Sequence, residues 1–200
     1  MLKNNTETSI FSCSFGLWPF RKNIELYSSS SLILNGKTIP LKEVTGLRWG
    51  TDKVRGGIFP RYVYVAAFSC YGRECVIKTG DKAFYSALTG LLCRNLLPHV
   101  IRNICGEIAQ GGFYKVTEEL YISDDGIKIL KSGLRGKRER FYAWQDIRSG
   151  VEAGYLWLLN GEECVDSLSL MRIPNAQVLE AMLSVKREKE CRLSEVCNFI

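Results

Sequence analysis

No run of this sequence stays apolar for the roughly 20 residues that a membrane-crossing helix needs. The longest apolar stretch, from Ala83 to Ile108, is broken by Arg94, Pro98, His99 and Arg102, so no transmembrane helix is expected. No secretory leader is expected either: Lys3, Asn4, Asn5, Thr6 and Glu7 precede Ile10, without the basic start and apolar core of such a signal. The expected compartment is the cytosol. Histidine is nearly absent, with His99 the single example. None of the eight cysteines (13, 70, 75, 93, 105, 164, 191 and 197) falls into a CxxC or CxxH pair, so zinc-ligand spacing is lacking. These thiols are expected to be reduced and mostly buried, packing as small hydrophobes, with Cys191 and Cys197 the most exposed. No metal and no cofactor is expected.

The ingredients of an enzyme are also sparse. A nucleophile, a base and a group to orient it should be identifiable as candidates. Here the one histidine follows Pro98 in a helical pattern, and the carboxylate pairs Glu118-Glu119, Asp124-Asp125 and Glu162-Glu163 stand at turns, where they are solvated. The glycines between Gly50 and Gly57 lack the GxxxxGK[ST] order of a phosphate loop. The chain therefore reads as non-enzymatic, with a small Cys/His-dependent enzyme the least favoured alternative.

What the sequence does contain is globular: 46% hydrophobic and 24% charged residues, without the low hydrophobicity and high charge that keep chains disordered. The net charge of +6 is mild, and no specific nucleic-acid binding is expected. The excess is concentrated between residues 131 and 140, where Lys131, Arg135, Lys137, Arg138 and Arg140 face only Glu139.

A local echo suggests duplication. Tyr62-Val63-Tyr64-Val65 followed by Gly72-Arg73-Glu74-Cys75-Val76 returns as Tyr155-Leu156-Trp157-Leu158 followed by Gly161-Glu162-Glu163-Cys164-Val165. The spacing differs slightly, as a shorter hairpin loop in the second copy would make it. Upstream, the segment from Pro40 to Gly50 stands where the second half has Phe141 to Gly150; superposing residues 24–108 on 113–188 is expected to pair Trp49 with Trp144 and Gly72 with Gly161 within about one residue. Strands are expected around Ile24–Tyr27, Leu32–Leu34, Lys37–Ile39, Thr45–Trp49, Tyr62–Phe68 and Glu74–Lys78, with Asn35-Gly36 as a two-residue hairpin turn. The second half offers Phe113–Thr117, Leu120–Ser123, Ile127–Leu130, Arg140–Ala143, Tyr155–Leu159 and Val165–Leu170. Each half then turns helical. Phe84, Leu88, Leu91 and Leu92 line one helix, and Pro98 starts another bearing Ile101, Ile104, Cys105 and Ile108. In the second half Val178, Leu179, Met182 and Val185 follow Asn175 as N-cap. Gly111-Gly112 marks the boundary between a first domain, 1–112, with an N-terminal extension and a long helical C-terminal region, and a second, 113–200, with a helical tail.

The run Asp125-Gly126-Ile127-Lys128-Ile129, the basic segment, and Arg140-Phe141-Tyr142-Ala143-Trp144-Gln145-Asp146-Ile147 together resemble bacterial pleckstrin-homology-like (PH-like) domains. The resemblance is closest over residues 113–188 and extends to 24–108 in order of elements only. It implies an α+β fold of two PH-like units, each a curled antiparallel meander of about seven strands closed by a C-terminal amphipathic helix. In that reading Gly126 supplies positive φ to a tight turn, while Trp144 and Ile147 bury against the closing helix.

Two surfaces stand out as candidates. In phosphoinositide-binding PH domains the first hairpin carries a lysine and then paired basic residues. Lys131, Arg135, Lys137, Arg138 and Arg140 follow a similar order and suit an anionic ligand, since guanidinium forks grip phosphate. Ile58 and Phe59, between glycines and Pro60, suit contact with a protein. The first reading is a scaffold that recognises another protein, as a subunit of a larger complex. The alternative is a module for anionic lipid or a phosphate ligand, with an anionic membrane surface as its partner.

Overall fold

The computed structural model describes residues 9–15, 22–27, 31–34, 36–54, 61–133 and 136–200, with side chains at 31–33, 36–52, 62–130 and 138–200. The order of elements within these residues repeats. In the first half β1 (Ser9–Phe15), β2 (Lys22–Tyr27), β3 (Ser31–Leu34) and β4 (Lys37–Pro40) form one antiparallel sheet in sequence order. A 3-10 turn, Leu41–Glu43, leads to a second sheet of β5 (Val44–Val54), β6 (Arg61–Cys70) and β7 (Arg73–Thr79). Helices α1 (Lys82–Asn95) and α2 (Leu97–Ala109) follow. In the second half β8 (Tyr114–Lys115), β9 (Leu120–Ile122), β10 (Gly126–Gly133) and β11 (Gly136–Ala143) make a sheet. A 3-10 turn, Trp144–Asp146, then leads to β12 (Ile147–Glu152), β13 (Tyr155–Asn160) and β14 (Glu163–Ser169), and α3 (Ala176–Lys189) follows. The chain ends in a 3-10 segment, Leu193–Phe199. Among the described residues the fold is therefore α+β, with three α-helices and four small antiparallel sheets. No helix among them is long and apolar enough to cross a membrane.

Local chemistry accounts for the turns. Tyr71-Gly72 and Ala153-Gly154 each put two successive residues at positive φ, the two-residue turn that matches the twist of antiparallel strands. Asp81 caps α1, its carboxylate accepting from the Ala83 and Phe84 amides at 2.8 and 3.1 Å. Pro98 lies in the first turn of α2, whose Ile101, Ile104, Cys105 and Ile108 are all buried, as their spacing predicts. On α3 the buried stripe is Val178, Leu179, Met182 and Leu183, with Val185 half-buried. Buried side chains of both halves, from Leu32 and Phe68 to Leu158 and Met182, join in one core.

Three expectations need correcting. The hairpin loops β6–β7 and β13–β14 are the same length, since Cys70 pairs with Arg73 and Asn160 with Glu163. The spacing difference comes instead from the strands, β6 having ten residues and β13 six. Trp144 stands in the 3-10 turn, the place that Leu41 takes in the first half, while Trp49 lies well inside β5. Gly161, by contrast, begins its turn where Tyr71 does, one residue from Gly72 and so within the expected offset. Finally, Gly126 is absent from the positive-φ glycines; a Cβ there would lie 2.1 Å from the Tyr142 carbonyl oxygen. Close approach of the neighbouring strand, not turn geometry, is what requires glycine.

Candidate interaction site

The basic hairpin is β10–β11. Lys131 pairs with Arg138, Ser132 with Lys137 and Ile129 with Arg140. Lys131 and Lys137 are described in their backbone only, while Arg135, Ile58 and Phe59 lie outside the described residues. Arg138 and Arg140 are exposed, two positions apart on one strand and therefore on one face. Arg140 donates to Tyr142, which raises its pKa above the ordinary arginine value, and its guanidinium stands 3.8 Å from Glu163 on the other sheet. The hairpin joins the last two strands of its four-stranded sheet. The resemblance puts a phosphate grip on the first hairpin, so the order of residues is shared and the place in the fold is not.

Among the described residues the Cys105 and Cys197 thiols lie within hydrogen-bonding reach of each other. The seven described cysteines are free thiols, and Cys164 is the exposed one, whereas Cys191 and Cys197 are half-buried. Cys105 is pushed up to about 12, chiefly by burial. The His99 pKa lies below the ordinary histidine value, first through burial and then through Arg102. No group of three or more potential metal ligands occurs among the described residues. The long helical region of the first half is covered by the chain's own tail: the Cys105 thiol donates to the Leu193 carbonyl at 3.4 Å.

One concavity among the described residues was not indicated by any sequence motif. A cleft of about 870 Å³ runs between the start of β12 and α3, with Ile147, Ser149 and Leu183 on its walls and Arg148, Lys186 and Arg187 around them. Trp144 closes one end, held by the bond from its indole N–H to the Ser123 carbonyl at 2.8 Å. Asp124 and Asp125 also line that end, and Asp124 is engaged through both carboxylate oxygens by Ser194, from its amide and its hydroxyl, at 2.7 Å each. Arg187 donates to the Ser149 carbonyl at 3.4 Å. Val151, the next residue but one along β12, is 51% exposed.

The corresponding edge of the first half is closed. Asn175 was expected to cap α3; it precedes the helix at φ 63°, but its side chain makes no cap bond. Its Oδ1 accepts from the Leu47 amide, its Nδ2 donates to the Thr45 carbonyl and to the Tyr114 hydroxyl, and its own amide donates to the Leu47 carbonyl. Gln177 does the same for Trp49, accepting from its amide at 3.0 Å and donating to its carbonyl. Arg48 adds a bond to the Met171 carbonyl at 2.8 Å. Searches against protein-family models, curated proteins and solved structures find no significant match to this chain.

Proposed function

We propose that this chain is a non-enzymatic, cytosolic scaffold that recognises another protein, built from two PH-like units over residues 1–112 and 113–200 and serving as a subunit of a larger complex. The repeated order of four-stranded sheet, 3-10 turn, three-stranded sheet and helix supports the duplication. The observation that carries the functional reading is the cleft beside β12. It combines apolar Ile147, Leu183 and Trp144 with charges of both signs, Arg148, Lys186 and Arg187 against Asp124, Asp125 and Glu190, and exposed Val151 follows along β12. Such a concavity of apolar and charged side chains suits recognition of a partner surface.

The test is photo-crosslinking from the cleft rim. A photoreactive phenylalanine analogue at exposed Gln145 should form discrete protein adducts in native lysate, while the same probe at exposed Glu107 on α2 should not. Adducts that do not differ between the two positions would count against recognition at this cleft.

A second reading, capture of anionic lipid or phosphate, is favoured by the placing of Arg138 and Arg140 on one face opposite the Ile129–Lys131 run. It is the weaker one. Each exposed cation adds only about 1 kcal/mol at an anionic membrane, and Arg140 already leans toward Glu163.

A further inference from the structure

We infer that Cys105 and Cys197 are a reversible disulfide pair, closed by peroxide, that latches the C-terminal 3-10 segment onto α2; this holds whatever the cleft binds. α2 turns Cys105 inward with Ile101, Ile104 and Ile108, and the segment Leu193–Phe199 lays Leu193 and Val196 against the same core. Both thiols donate to successive carbonyls of that segment, Cys105 to Leu193 at 3.4 Å and Cys197 to Ser194 at 3.6 Å. The two sulfurs stand within hydrogen-bonding reach of each other, and the Cys197 amide also faces the Cys105 sulfur. Closing to a bond of about 2 Å takes side-chain rotation and a small shift of the segment, with the core left as it is.

Hydrogen peroxide serves as the oxidant. The Cys197 sulfur, half-buried and so the more open of the two, attacks one peroxide oxygen; the O–O bond breaks, a sulfenic acid forms, and water leaves with the Cys197 proton. The Cys105 sulfur then attacks the sulfenic sulfur, the S–O bond breaks, and hydroxide leaves as water with the Cys105 proton. Two thiols and one peroxide thus give one disulfide and two waters. Burial suits Cys105 to the second role: with its pKa pushed up to about 12 it stays a protonated thiol, shielded from oxidant until its neighbour has reacted. The bond has a place to act. Ser194 of the same segment holds Asp124 through its amide and its hydroxyl, and Asp124 lines the cleft beside β12. α2 belongs to the first half and the segment follows α3 of the second, so the bridge fastens one half to the other.

The test treats the intact chain with hydrogen peroxide at neutral pH and reads the intact mass and, after thiol blocking, a non-reducing peptide map. The expected product has lost about 2 Da, links the peptides that carry Cys105 and Cys197, and reverts with dithiothreitol. Its thermal midpoint should rise by about 5 °C or more, as a bridge closing a long loop predicts, and the Ser194 amide should exchange at least about tenfold more slowly. Cys197→Ser should keep the reduced midpoint near wild type and lose the mass step, whereas Cys164→Ser, at an exposed thiol, should retain it. If Cys197→Ser fails to fold, the wild-type peptide map decides. Oxygen added to Cys197 without a link, or a bridge between other cysteines, would overturn the pair. A Cys105–Cys197 bridge that leaves the midpoint and the Ser194 exchange unchanged would overturn the latch.

Discussion

Asn175 and Leu47, 128 positions apart in sequence, are joined by a reciprocal pair of hydrogen bonds of 2.8 Å each, Leu47 N–H to Asn175 Oδ1 and Asn175 N–H to Leu47 C=O. One residue at positive φ thereby closes a sheet edge of the other half of the chain, and its neighbour Gln177 continues the closure at Trp49. An uncovered edge is open to pairing with other strands, so this contact both joins the halves and closes one side of β5.

Replacing Asn175 with Gly keeps the left-handed backbone and removes the side chain that serves Leu47, Thr45 and Tyr114. Leaving buried groups without partners costs about 1–3 kcal/mol each, partly relieved by water, so a loss of about 2–4 kcal/mol is expected. Urea denaturation measures it. A change under about 0.5 kcal/mol, the range of ordinary surface substitutions, would show that the clamp is incidental.

Gly126→Ala tests the close approach at the start of the basic hairpin. The new Cβ would meet the Tyr142 carbonyl carbon at 2.9 Å and the Phe141 ring at 2.8 Å, besides the carbonyl oxygen nearer still. The ring can turn aside, but the backbone of β11 must move. A loss of about 1–3 kcal/mol and a lower thermal midpoint are expected.

Among the described residues of the first half, Arg48 and Glu74 form an ion pair whose acid dependence can be read. Arg48 holds Glu74 through two hydrogen bonds, Nε to Oε1 at 2.6 Å and Nη2 to Oε2 at 2.7 Å, and these keep the Glu74 pKa below the ordinary value of 4.5. A lowered folded pKa means stability that is present above 4.5 and is lost as pH falls through the folded value. Both groups remain partly open to water, so the contribution is under about 1 kcal/mol. Glu74→Gln should flatten stability against pH below 4.5; an unchanged acid limb would contradict the assignment.

Most elements were legible because their signals are local. The stripe of Phe84, Leu88, Leu91 and Leu92, Pro98 at a helix start, and glycine-bearing turns between alternating runs each specify a conformation within a few residues. The misreadings have a common source. Asn175 was legible as an N-cap by position, but the edge of β5 competes for its side chain, and Gly126 answers to a strand that returns only at Tyr142. The cleft was invisible for the same reason, since Ile147, Ser149, Leu183 and Arg187 meet only through the packing of α3 on β12. The basic hairpin, by contrast, was visible as composition, and composition did not reveal that it joins the last two strands of its sheet.

Replacing Arg138 and Arg140 together with Gln should leave stability within about 0.5 kcal/mol per site, because both are exposed. Sedimentation with phosphatidylserine-containing vesicles at low salt should be weak for wild type and little changed in the variant. Strong, salt-sensitive wild-type binding that the variant loses would instead favour the anionic-ligand reading.

The most direct measurement is hydrogen exchange at single-amide resolution on the intact chain, wild type and Asn175→Gly. The Leu47 and Trp49 amides, closed by Asn175 and Gln177, should exchange slowly in the wild type, and the Leu47 amide should exchange at least about tenfold faster in the variant. A Leu47 amide that exchanges at the same rate in both would contradict the closure of this edge.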